Sequence, residues 1–187
     1  MTFCWMDVKT HDVAATAASF EHTFGWTSTV DESDRRRATV IRSGEHRIGG
    51  LSDLANPVYP PGTPAHIAFY LATDDTDLRT ERAVAAGARL VAGPFDAGDQ
   101  GRMATLVDPA GAAFSLWQAG KFAGWDVPPG TLVHISEAPE TARRFYADIL
   151  GFDGEFTEGP DPRWELRTPA GLPVRVGRGL PGDTAQQ

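Results

Sequence analysis

Three short stretches of this chain place chemically capable side chains at strand spacing. Trp5, Asp7 and Lys9 alternate along the first, His66, Ala68 and Tyr70 along the second, and Ser115 and Trp117 along the third. Residues two apart on a strand share a face, so each stretch presents one small surface. His66 is read in two ways: a general base or hydrogen-bond donor to a ligand, or a solvent-wetted histidine just after Pro60-Pro61-Gly62. Asp7 either orients His66, completing an acid–base pair, or pairs with Lys9 on its own strand. Trp5, Tyr70 and Trp117 either line an aromatic pocket for a flat or amphipathic molecule or belong to the core. His11, His22, His46 and His134 fall at strand ends, helix surfaces or turns and are expected in solvent. The single Cys4 excludes an internal disulfide and reads as a packed thiol. No Gly-rich phosphate loop, serine elbow or Cys/His pair is present.

The elements that must hold these residues are legible from their punctuation. Phe3 to Thr10 reads as a strand, with Met6 and Val8 on the face opposite Trp5. Asp12 is the expected cap of a helix whose apolar side carries Val13, Ala17, Phe20 and Phe24, and Gly25 ends it. Strands follow at Trp26 to Val30, Ala38 to Arg42 and His46 to Leu51. The same βαβββ order returns: strand Ala65 to Thr73, a helix capped by Asp75 and ended by Gly87, strand Arg89 to Ala92, then a hairpin over Gly101 to Gln118. In that hairpin Asp108-Pro109-Ala110-Gly111 has turn chemistry. Phe114 and Leu116 take one face, and Ala113, Ser115 and Trp117 take the other.

Asp12 and Asp75 lie 63 residues apart, and twice that offset carries Gly25-Trp26 onto Gly151-Phe152. A third copy therefore starts near Thr131. Its strand is Thr131 to Ser136. Its helix is Pro139 to Leu150, with Ala142, Phe145, Tyr146 and Ile149 on the apolar side. Strands are expected near Glu155, at Arg163 to Arg167 and at Leu172 to Val176. The expected division is 1–120 for two paired modules, 121–130 for a Pro/Gly-rich linker, and 131–187 for a third half-domain with a frayed tail from Gly177. With 187 residues and 41% apolar content the chain can bury a real core. A formal charge of −8 argues against nucleic acid and anionic membrane surfaces. Arg35-Arg36-Arg37 sits among acids and reads as a solvated turn. With no leader-like N-terminus and no run of membrane length, a cytoplasmic location is expected.

The Asp-Pro-x-Gly hairpin, the Gly-aromatic steps after the helices (Phe24-Gly25-Trp26, Leu150-Gly151-Phe152) and the repeated βαβββ order resemble the vicinal-oxygen-chelate superfamily. That superfamily includes glyoxalase I, bleomycin-resistance proteins and extradiol dioxygenases. Cys4-Trp5-Met6-Asp7, Gly101-Arg102-Met103-Ala104 and Leu116-Trp117-Gln118 look like its two-domain glyoxalase-like branch. The resemblance implies an α+β fold in which two modules pair into a curved eight-stranded sheet around a cavity, with a third βαβββ module left unpaired. It also implies a metal held by His, Gln or Glu on first and last strands. Seven residues before each helix-capping Asp stand Trp5 and Ala68, the last-strand position of module two is Ser115, and His46 to Leu51 contains no carboxylate. None of these is a good ligand for a divalent ion.

The expectation is therefore a metal-free and cofactor-free binder of a small aromatic or amphipathic molecule. Trp5, Lys9, Ala68, Tyr70, Ser115 and Trp117 would line the site. The alternative is an enzyme of the same fold, using His66 and Asp7 for acid–base work or an unusual metal as lyase, isomerase or dioxygenase. An unpartnered third module exposes a sheet face and an edge, so a homodimer through that module is expected.

Overall fold

The structure, a computed structural model, describes residues 2–32, 38–57, 59–152, 156–158, 163–167 and 173–174. The Arg35 to Arg37 turn, Glu155, Leu172 and the tail from Gly177 lie outside the described residues. The first module runs β1 (Phe3–Thr10), α1 (Val13–Phe24), β2 (Thr27–Val30), β3 (Thr39–Ser43) and β4 (His46–Asp53). The second runs β5 (His66–Ala72), α2 (Thr76–Ala85), β6 (Arg89–Asp96), β7 (Gly101–Val107) and β8 (Ala113–Ala119).

The two modules repeat each other in detail. Asp12 and Asp75 both sit in extended backbone and accept a hydrogen bond from the third residue on, Ala15 N and Leu78 N, each at 2.9 Å. Each side chain thus satisfies one orphan donor of its helix. Gly25 ends α1 at φ 68°, the left-handed region that a Cβ disfavours. In module one β1 lies parallel to β4, and in module two β5 lies parallel to β8. β1 and β5 then pair antiparallel, which joins the modules into one eight-stranded open curved sheet of order β2-β3-β4-β1-β5-β8-β7-β6.

One face of this sheet carries the core. Met6, Val8, Ile48 and Phe69 are buried under α1 with Phe20, while Leu71, Leu106, Phe114 and Leu116 are buried toward α2. The opposite face carries every candidate site residue, as strand alternation requires.

The third module is βαβββ in element order: β9 (Thr131–Ser136), α3 (Pro139–Arg143), β10 (Phe156–Glu158), β11 (Arg163–Arg167) and β12 (Pro173–Val174). After Arg143 the helix widens into π-type turns over Arg144–Ile149. That widening shifts the apolar stripe by one residue, so Leu150 is buried and Ile149 is only half-buried. Its strand order, β10-β9-β11-β12, departs from that of the first two modules: β9 is flanked by both β10 and β11. Its helical segment packs back onto module two. Phe145, Tyr146, Leu150 and Phe152 share one core with Leu71, Leu106, Phe114 and Leu116.

His134 corrects the expectation of a solvated histidine. It is fully buried in β9, with Nε2 lying 3.1 Å from Asp108 Oδ2, and Tyr146 donates its hydroxyl to the same oxygen at 2.7 Å. Asp108 spends its other oxygen on the turn, accepting from Ala110 N and Ala112 N at 2.8 Å each. The hairpin turn and the third module are therefore joined through one buried carboxylate. Cys4 is buried as expected, and burial pushes its thiol up to about 12.

Candidate functional site on the concave sheet face

The register of the central strands assembles the site. Across β1 and β5, Trp5 faces Tyr70, Asp7 faces Ala68 and Lys9 faces His66. Across β5 and β8, Tyr70 neighbours Ser115 and Ala72 neighbours Trp117. Trp5, Asp7, Lys9, His66, Ala68, Tyr70, Ser115 and Trp117 thus share one face.

The face has an aromatic end and a polar end. At the aromatic end Tyr70 and Trp117 meet edge to face with ring centroids 6.1 Å apart. A ring absent from the sequence-based site completes this end. Phe122, from the segment after β8, packs edge-on to Trp5 at 4.8 Å and lies 6.0 Å from Trp117. The segment expected as a linker is a strap across the face. Trp117 Nε1 donates to the Phe122 carbonyl at 2.9 Å, Trp125 N donates to the Cys4 carbonyl at 2.7 Å, and Trp125 Nε1 donates to the Ile48 carbonyl at 2.6 Å. Gly124, at φ 102°, lets the strap lie against β1, since a Cβ there would run into the Cys4 carbonyl. Its Pro/Gly content signalled irregular backbone, but nothing in it marked where Phe122 would land.

At the polar end Lys9 Nζ donates to Asp7 Oδ2 at 2.5 Å and to Tyr59 Oη at 3.2 Å. Ser52 Oγ donates to both Asp7 oxygens, at 2.9 and 3.0 Å. Lys9 and Asp7 side chains are only 15% and 16% exposed. Burial pulls the Lys9 ammonium down, but the Asp7 carboxylate and Tyr59 hydroxyl more than offset this and hold it above the usual lysine value. His66 is half-buried, with Nδ1 2.8 Å from the Pro64 carbonyl. In the neutral ring that contact assigns the proton to Nδ1 and leaves Nε2 as acceptor. Among the described residues Asp7 and His66 form no hydrogen bond to each other.

The fold family's metal can be tested against the donors present. Asp7 pairs with Gly50 across β1 and β4 just as Tyr70 pairs with Ser115 across β5 and β8. Gly50 is thus the counterpart of Ser115 in module one. An ideal Cβ on Gly50 would lie 3.0 Å from Asp7 Oδ1, so the carboxylate of Asp7 fills the space a ligand side chain would need. Trp5 and Ala68 offer no ligand atom, and the Ser115 hydroxyl is bonded to Thr105 Oγ1 at 3.0 Å. Among the described residues no group of three or more His, Cys, Asp or Glu side chains converges on one point. This donor set does not fit a divalent metal.

A family model described as a glyoxalase-like domain matches residues 5–117. The chain is 33% identical over 181 residues to the anthracycline biosynthesis protein DnrV of Streptomyces peucetius, covering 87% of this chain and 66% of that protein. The chain thus spans just under two thirds of that relative's length. The Mn(II)-bound glyoxalase from Novosphingobium aromaticivorans superposes with a TM-score of 0.60 at 16% identity, over 86% of this chain and 62% of that one. Homoprotocatechuate 2,3-dioxygenase from Arthrobacter globiformis gives 0.59 at 14% identity, over 88% and 62%. These two likenesses carry the fold alone. The module repeat, the curved eight-stranded sheet and the match over residues 5–117 lead to one conclusion: the chain belongs to the glyoxalase-like domain family of the vicinal-oxygen-chelate superfamily.

Proposed function

We propose that the concave face binds a small planar aromatic molecule without a metal. The observation that carries this reading is the cluster of Trp5, Tyr70, Trp117 and Phe122 on the face where the fold family places its ligands. Tyr70 and Trp117 are buried within this cluster, so the flat apolar walls it offers are the half-buried Trp5 and Phe122 rings, and these favour a flat partner over a flexible one. The relative DnrV is named for anthracycline biosynthesis, and anthracyclines are polycyclic aromatics, which agrees with such walls.

The test is a titration of the protein with aromatic compounds of two to four fused rings, followed by tryptophan fluorescence. Saturable quenching is expected, insensitive to EDTA. Trp5→Ala is expected to weaken binding by about 1–3 kcal/mol, the worth of one large aromatic contact. Failure of every compound to bind would sink the reading, as would binding that EDTA abolishes and Mn(II) restores.

A further inference from the structure

We infer that the ammonium of Lys9, held by Asp7 and Tyr59, is the anchor for an oxygen substituent on the bound aromatic molecule, beside the position where the fold family's metal ligands would stand. This rests on the reading that the concave face binds an aromatic ring, and it names the chemical class within it: a phenol, enol or ketone on a fused-ring system.

Three observations carry it. First, the cation is paired with the carboxylate that fills the vanished ligand position. Asp7 Oδ1 sits 3.0 Å from where a Gly50 Cβ would stand, and Lys9 Nζ bonds the other oxygen of that carboxylate. Second, donors converge there. Asp7 and Tyr59 take two of the ammonium's three hydrogens, and the third is unclaimed among the described residues. The Tyr59 hydroxyl accepts from Lys9, which leaves its own O–H to donate. An ammonium N–H and a phenol O–H side by side fit one acceptor oxygen, and fit it best when it carries negative charge. Third, one face carries both ends. Lys9 lies four residues along β1 from Trp5, about 13 Å at strand rise, on the same side of the sheet, so a molecule held at Lys9 extends its rings toward Trp5. Among the described residues, the titratable groups at this end are Asp7, Lys9, Tyr59 and His66. His66 faces Lys9 across the strand pair.

The experiment is equilibrium dialysis of the full chain with 2-naphthol and with naphthalene, together with an absorbance titration of bound 2-naphthol. In the unaltered protein the ionisation midpoint of bound naphthol is expected to fall by about one pH unit, the effect of one close cation. Lys9→Met is expected to weaken naphthol binding about tenfold, to abolish that shift, and to leave naphthalene binding within about twofold. Lys9→Arg, which keeps the charge, is expected to retain the shift. If neither compound binds the unaltered protein, the aromatic reading itself fails. If naphthalene binds and Lys9→Met leaves naphthol affinity and midpoint unchanged, the Lys9 inference is overturned while the aromatic reading stands. If Lys9→Met loses both compounds, the Asp7→Asn, Lys9→Met double variant, free of an orphaned carboxylate, decides. Recovery of naphthalene alone supports the anchor, and continued loss of both overturns it.

Discussion

Single residues decide the chemistry of this bowl more than its shape does. Gly50 is the clearest case, because its missing side chain is what admits the Asp7 carboxylate and hence the Lys9 pair. The sequence left Asp7 two partners, His66 and Lys9, with an ion pair two residues along one strand the commoner outcome. The structure shows Asp7 bonded to Lys9 and Ser52, with His66 bonded to a local carbonyl. Cys4 yields a prediction at the same scale. Its folded value, about 12, stands above the ordinary thiol value of 9.0 because burial disfavours the thiolate. A raised value means that the folded state keeps its proton longer than the unfolded chain. The contribution is therefore intact below 9 and is lost as pH rises toward 12, at up to about 1.4 kcal/mol per pH unit. Urea unfolding at pH 8 and pH 10 should show the unaltered chain losing stability and Cys4→Ala losing distinctly less over the same interval. Equal losses in the two proteins would assign the slope to other groups.

At the scale of elements, the helices and strands were legible because each is marked locally. The Asp caps and glycine stops of the first two helices repeat from module to module, the Asp108 turn marks its hairpin locally, and local chemistry of that kind survives in a one-dimensional reading. The strap over residues 121–130 was not legible. Its bonds run to Ile48, Cys4 and Gln100, and contacts at such separations leave no periodicity in the chain. The same holds for the buried state of His134, whose partner Asp108 looked fully explained by its turn. The π-type widening after Arg143 erased a helical period that the sequence otherwise displays. Phe122 gives the strap a measurable role. Its ring packs against Trp5, so Phe122→Ala is expected to raise acrylamide quenching of Trp5 while leaving Trp26, buried under α1, unchanged. Single-tryptophan backgrounds separate the two signals, and an unchanged Trp5 response would show that the strap does not gate access to the face.

At the scale of the whole molecule, the third module is tied to the body by the face its helix presents. Phe114 meets both Phe145 and Tyr146 edge to face, at 5.9 and 5.5 Å, and Arg79 of α2 donates to the Leu150 carbonyl at 3.3 Å. Beneath these contacts lies the Asp108 carboxylate, 1% exposed, which takes Tyr146 and His134 from the third module and two turn amides from the second. A buried carboxylate that loses a donor bears a desolvation cost of about 1–3 kcal/mol or more. Tyr146→Phe keeps the ring in the shared core and removes only the hydroxyl, so that cost should fall on the hairpin turn and on β9 together. The expectation is one cooperative denaturant transition at a lower midpoint with m unchanged, its unfolding free energy reduced by about that amount, with tryptophan fluorescence and far-ultraviolet dichroism moving in step. If the module were merely appended, the fluorescence of Trp117 would keep its original midpoint while the dichroism split into two phases.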